Sequence, residues 1–218
     1  MTASQRRGSR CWRPGVAGRP QTGRRHELST TSHVLESFFN QATAQSHLQS
    51  TPADCVLALA PLMLDLLDNA DTFLQPHHYR SSDVSYTRNL IYEAPDKGLS
   101  LYSLVWLPGQ WTPVHDHGSW GVVGVLEGVL EERSYVRLSP DRGSDEEIDL
   151  VRGGIVLLRR GSVTSFVPNP DHIHVTGVPK ERARAVSLHI YGRTMNDFNV
   201  YDVEARTRRR ITVAHNES

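Results

Sequence analysis

Cysteine is scarce, with only Cys11 and Cys55 in 218 residues. Two cysteines without CxxC spacing exclude a disulfide framework and a cysteine-based zinc site, and they suit a reducing cytoplasm. Long apolar runs are also missing. No stretch approaches the roughly 20 apolar residues of a membrane helix, and the first residues lack the apolar core of a secretory signal. Net charge is absent too, with 24 basic and 24 acidic side chains. The distribution is uneven, however. Residues 1–33 hold seven arginines and one acid, Glu27, a net of about +6, which leaves about −6 on the other 185 residues. A mildly acidic body excludes nucleic acid as the main partner, because phosphate binding needs a basic face.

The Arg-rich residues 1–33 also carry Gly8, Pro14, Gly15, Gly18, Pro20 and Gly23, a load that works against an amphipathic helix and predicts a disordered extension. Residues 34–80 change character. Val56, Leu59, Leu62, Met63, Leu66 and Leu67 recur at helical intervals. Thr51-Pro52-Ala53-Asp54 is a helix start, with Thr51 as the N-cap and Pro52 in the first turn. Two or three helices are expected there, packed on the β domain formed by the rest of the chain.

From residue 81 to 213 the pattern is one of short strands: 89–93, 99–107, 121–126, 129–138, 155–159, 162–168, 172–178, 185–191, 198–202 and one near 210–213. Turn residues separate them, among them Pro95-Asp96-Lys97-Gly98, Glu127-Gly128 and Arg152-Gly153-Gly154. Many short strands at even spacing predict a mainly β domain, a sandwich or barrel of the jelly-roll kind.

Five of the eleven histidines fall within residues 115–189. His115-Asp116-His117 is an H-x-H pair. On a strand, residues i and i+2 point to one face, so both imidazoles reach a single ion. A barrel brings a distant strand beside them, and His172 and His174 compete for the third position. Neutral imidazoles without cysteine favour iron, zinc, copper or nickel over magnesium or calcium. Three protein ligands leave coordination positions open for chemistry. Gly109, His115, His117 and Gly128 fit the first cupin motif, G-x5-H-x-H-x(3,4)-E-x6-G, except that Gly121 stands where the motif has glutamate. That exchange turns a three-His, one-Glu set into a three-His set.

A second constellation lies at Val186-Ser187-Leu188-His189-Ile190-Tyr191, which alternates strictly. Ser187, His189 and Tyr191 share one face. In such a row the serine hydroxyl fixes one nitrogen of His189 while the other orients the Tyr191 hydroxyl. A serine hydrolase is not indicated, since neither a nucleophile elbow nor an acidic third member accompanies Ser187.

Tyr86-Thr87-Arg88-Asn89-Leu90, Trp106, His115-Asp116-His117, His174 and Ser187-Leu188-His189-Ile190-Tyr191 together resemble the thiol dioxygenases of the cupin fold, specifically cysteine dioxygenase, over about residues 86–202. Motif order and the step from His174 to His189 favour His174 over His172. The resemblance implies Fe(II) held by His115, His117 and His174, with a small thiol and O2 as reactants and a sulfinic acid as product. It places Arg88 on the substrate carboxylate, assisted by Tyr86, and Tyr191, steered by His189 and Ser187, beside the reacting groups. A planar guanidinium holds a carboxylate bidentately.

Two departures carry information. Vertebrate-type members crosslink a cysteine to the active-site tyrosine; that cysteine position falls on Gly121, so Tyr191 is expected unmodified, as in many bacterial members. The stretch 105–121 is more similar to 3-mercaptopropionate dioxygenases. Those enzymes have glutamine where Arg88 stands and a later carboxylate arginine, which aligns near Val200; Arg193 is a poor substitute for it. The expectation is L-cysteine oxidation. A 3-mercaptopropionate or related thiol-acid dioxygenase is the same-class alternative, and a non-oxidative metal-binding cupin the different-class one. The expected assembly is a monomer or weak homo-oligomer.

Overall fold

The computed structural model describes residues 23–141, 143–168 and 172–217, with side chains described from residue 33 onward. The Arg-rich extension therefore lies outside the described residues as far as residue 22.

Helix α1 runs from Gly23 to Leu48, α2 from Pro52 to Asp68 and the short α3 from Ala70 to Phe73. The start of α2 is the one the sequence predicts: the Thr51 hydroxyl accepts from the Asp54 amide at 3.2 Å, and Pro52 occupies the first turn. Leu59, Met63 and Leu66, three and four residues apart, are fully buried with Phe38, Phe39 and Phe73. This face lies against Leu101, Val122, Leu188 and Ile190, the outward residues of one sheet. Among the described residues no helix is long and apolar enough to cross a membrane.

A 3₁₀ turn at Pro76–Tyr79 leads into eleven strands: β1 Thr87–Glu93, β2 Ser100–Trp106, β3 Val114–His115, β4 Gly121–Glu127, β5 Val129–Arg137, β6 Leu150–Arg159, β7 Val163–Phe166, β8 Ile173–Gly177, β9 Ala185–Tyr191, β10 Asp197–Asp202 and β11 Thr207–Thr212. They form two antiparallel sheets, ordered β1-β2-β9-β4-β7 and β11-β10-β3-β8-β5-β6. Two such sheets with non-consecutive neighbours make the jelly-roll sandwich of the cupins. Nine of the predicted strands fall on observed ones to within a few residues. The exception is the Arg152-Gly153-Gly154 turn, which lies inside β6 at a register shift against β5. Those residues do not reverse the chain; they bulge it. A Cβ at Gly153 would stand 2.6 Å from the Ser134 hydroxyl, so any larger residue would have to turn that hydroxyl aside.

Candidate active site

The inner faces of the two sheets bring the distant sequence segments together. β3 pairs with β8 so that His115 stands directly opposite His174, and β3 pairs on its other side with β10. His117 lies just past the end of the two-residue β3, so the H-x-H pair is not carried on one continuous strand as the spacing suggests. It is held by its middle residue instead. The buried Asp116 carboxylate accepts from Asn199 Nδ2 at 2.9 Å and from the Tyr201 hydroxyl at 2.6 Å, both on β10. Arg193 braces the same turn, donating to the His117 carbonyl at 3.0 Å and to Asp197 at 2.6 Å. That is its occupation, and it is not free to serve as a substrate anchor.

The ligand-capable atoms of His115, His117 and His174 lie within 4.8 Å of one another, and all three residues are buried. Burial pushes each imidazole below its ordinary range, and the neighbouring histidines add to the effect at His115 and His117. The neutral form, the one that coordinates a metal, is favoured. Two tautomers follow from acceptor-only partners. His115 Nδ1 donates to the Pro113 carbonyl at 3.0 Å, and His174 Nδ1 lies 3.1 Å from Glu132 Oε2. Each leaves Nε2 with the lone pair. His117 Nδ1 and His174 Nε2 are buried without a hydrogen-bond partner among the described residues. Buried lone pairs without partners are costly unless something occupies the space between them, so the donor set fits a borderline transition metal.

His172 stands behind this group. Its Nε2 faces Glu132 Oε1 at 3.3 Å, and the other carboxylate oxygen serves His174. Glu132, His172 and His174 form a second cluster of ligating type, but a neutral imidazole has one lone pair, so His174 serves one cluster and not both. Burial acts to raise the Glu132 carboxyl, and the hydrogen bonds from His172 and His174 outweigh it, holding it well below the carboxylate range. Glu132 is the main member of the site that motif inspection misses. Its signal is positional: it lies two residues after Leu130, a fully buried side chain of the same strand face.

Gly121 explains why no fourth protein ligand is present at the motif's glutamate position. It pairs with Tyr191 on β9 and with Phe166 on β7, and a Cβ there would come within 2.4 Å of the Phe166 ring. Phe166 fills the space, stacked on His117 at 4.0 Å. The register also sets Gly121 directly opposite Tyr191, so the residue in the crosslinking position has no sulfur to offer. Cys55 is buried in the helical layer, and Cys11 lies outside the described residues.

Ser187, His189 and Tyr191 share the inner face of β9, as alternation predicts, and all are buried. Ser187 Oγ lies 2.8 Å from His189 Nε2, and His189 Nδ1 lies 3.1 Å from the Tyr191 hydroxyl. Trp106 adds a fourth member, donating from Nε1 to Ser187 Oγ at 3.0 Å. An indole N–H only donates, so it fixes the direction of the row. Ser187 accepts from Trp106 and donates its hydroxyl hydrogen bond to His189 Nε2. His189 then carries its hydrogen on Nδ1 and donates a hydrogen bond to the Tyr191 oxygen, leaving the phenol hydrogen free to point away from the row. Burial, with the Arg88 charge, pushes His189 down to about 3, so it stays neutral. Burial pushes Tyr191 well above the ordinary phenol range, so it stays protonated.

Arg88 enters from β1 and is buried. Its guanidinium carbon lies 4.7 Å from the centre of the Tyr102 ring. Nη2 donates to the Met195 carbonyl, while Nη1 is buried without a partner among the described residues. Tyr86 stacks on Trp106 at 4.5 Å. Arg88, Tyr86, Tyr191, His189 and the three histidines all line one cavity. Val200 is a buried core residue paired with His115.

The fold is similar to that of a cupin-like protein from Thermotoga maritima, 16% identical over 56% of this chain and 81% of that one with a TM-score of 0.38. It is also similar to acetylacetone dioxygenase from Acinetobacter johnsonii, 14% identical over 64% of this chain and 82% of that one with a TM-score of 0.43. A stronger likeness comes from the sequence. Residues 40–210, which contain β1 to β10, most of β11 and every side chain of the cavity, match the family of cysteine dioxygenase type I, and the chain belongs to that family.

Proposed function

We propose that this protein oxidises L-cysteine with O2 to cysteine sulfinic acid, using Fe(II) held by His115, His117 and His174. The balance is simple: the thiol R–SH and one O2 give R–SO2H, so both oxygen atoms end on sulfur and no external reductant is required. Iron(II), when bound, supplies the redox-active centre at which a thiolate and O2 are brought together.

The observation that carries the substrate class is Arg88. A buried guanidinium that lines the cavity, with its Nη1 unpartnered among the described residues, needs an anion, and a carboxylate fits its fork. Tyr86, packed on Trp106, forms the wall beside it. Tyr191 holds its phenol proton at the cavity and donates it to a thiolate or oxygen placed there, with its orientation set through His189, Ser187 and Trp106. Glu132 holds His174 in the tautomer that a metal requires. The occupied state of Arg193 and the apolar Val200 favour cysteine over 3-mercaptopropionate.

Purified protein loaded with Fe(II) is to be offered cysteine and 3-mercaptopropionate separately, with O2 uptake and sulfinate recorded. Stoichiometric uptake with cysteine is expected. No uptake with either thiol sinks the dioxygenase assignment, and uptake with 3-mercaptopropionate alone sinks the cysteine assignment. Arg88→Ala is expected to raise KM for cysteine by about 10–100-fold, the loss of a charge-assisted pair, with iron content unchanged. Loss of iron instead would make Arg88 a structural residue.

A further inference from the structure

We propose that residues 214–217 form a strap that positions Arg88, with His215 and Asn216 as positioning residues for recognition of the substrate carboxylate. This rests on Arg88 being the carboxylate anchor.

β1 is the edge strand of its sheet, covered by β2 on one side only. Its other edge is taken, at the anchor itself, by the segment that comes after β11. The Asn216 amide donates to the Arg88 carbonyl at 2.7 Å, and the Leu90 amide donates to the Asn216 carbonyl at 2.9 Å. Asn216 Nδ2 donates to Asn89 Oδ1 at 2.8 Å, and the two residues form a parallel bridge. Arg80 Nη1 fixes the next residue, donating to the Glu217 carbonyl at 3.1 Å. One position earlier, the His215 ring meets Tyr102 edge-on at 5.6 Å, and Tyr102 is the ring over which the Arg88 guanidinium lies.

The strap thus bears on Arg88 in two ways, directly by bonding the backbone of the residue and indirectly by packing His215 on the Tyr102 ring that lies under the guanidinium. A segment that merely sealed a sheet edge would need the first contact and not the second. A long side chain has many rotamers, and its carboxylate affinity depends on being held in one of them before the ligand arrives. Two constraints at one residue supply that order.

The test compares Asn216→Pro, which removes the N–H that bonds the Arg88 carbonyl, with His215→Ala, which removes only the ring. Each is loaded with Fe(II) and assayed with cysteine and with cysteamine, which lacks the carboxylate. In both variants KM for cysteine is expected to rise by about tenfold with kcat within about threefold. KM for cysteamine and iron content should be unchanged. Amide hydrogen exchange over residues 87–93 should speed up in Asn216→Pro. Equal rises in KM for both thiols, or cysteine KM unchanged in both variants, would overturn the strap as a positioning element. Exchange is read without substrate. An inactive wild type therefore counts against the dioxygenase assignment, whereas unchanged exchange in Asn216→Pro counts against the strap itself. If Asn216→Pro fails to fold, His215→Ala still decides the matter through the contrast between the two thiols.

Discussion

At the scale of single residues, the chemistry of the cavity is set by which atom of each imidazole carries the proton. His115 and His174 each give Nδ1–H to an oxygen that can only accept, one a backbone carbonyl and the other the Glu132 carboxylate. Glu132→Gln keeps the shape but leaves one acceptor oxygen for two imidazoles. It is expected to weaken Fe(II) or Co(II) affinity on the order of 10–100-fold, as loss of such an orienting partner does, in a competition titration against a chelator. Undiminished affinity would show that His174 needs no such partner. His115, His117 and the Ser187–His189–Tyr191 row were legible in the sequence through motif spacing and strand alternation, whereas Arg88 and the choice of His174 over His172 came only from the resemblance to a family. Glu132 was not legible, because in Glu131-Glu132-Arg133 no motif marks the cavity-facing carboxylate, and its place two residues after Leu130 gains meaning only once Leu130 is known to be buried. Trp106 was visible as a matching residue, but its part in directing the row is seen only once the indole is found 3.0 Å from Ser187.

At the scale of elements, β4 is where the departure from the common cupin pattern takes effect. Gly121 is enclosed between Tyr191 and Phe166 on neighbouring strands, and the ring of Phe166 occupies the volume that a side chain would enter. Gly121→Ala is therefore expected to destabilise the protein by about 1–3 kcal/mol through overpacking, measured by urea unfolding. Pairing it with Phe166→Leu should recover part of that loss, since the two sites share one space. Additive losses would mean that the Phe166 ring is not the obstacle. Sequence alone places β4 and names Gly121 as the departure, but it does not say that Phe166, 45 positions on, is the compensating residue. The same limit applies to β6. A double glycine in Arg152-Gly153-Gly154 reads as a turn, whereas the structure uses it to pass Ser134 within a continuous strand. The strands around it were legible because alternation and length survive a bulge; the bulge was not, because a close approach by another strand leaves no mark in the local sequence.

At the scale of the whole molecule, the concentration of neutral imidazoles inside the fold ties stability to pH. Burial pushes His78 down to about 4 and His189 down to about 3, and it lowers His115, His117 and His174 as well. An unfolded histidine titrates near 6.5. Below that value the unfolded chain takes up protons that the native state refuses, so stability is fully present above about pH 6.5 and falls as the pH drops toward each folded value. Glu132, held low by His172 and His174, acts in the same direction further down, since its contribution is lost as the pH falls through the folded value. Each histidine contributes a slope of up to about 1.4 kcal/mol per pH unit in the window below 6.5. The metal-free protein is therefore expected to show a slope above that one-proton value between pH 6 and 5 in urea titrations. His78→Gln, remote from the cavity, should lower the slope by about one proton. Saturating metal should raise stability by a nearly constant amount between pH 6 and 5, where the native imidazoles are already neutral, and carry the slope to lower pH by holding them in that form. A flat profile between pH 7 and 5 in the metal-free protein would mean that the interior histidines are protonated in the fold, and the cavity would then be unable to present the lone pairs that its chemistry needs.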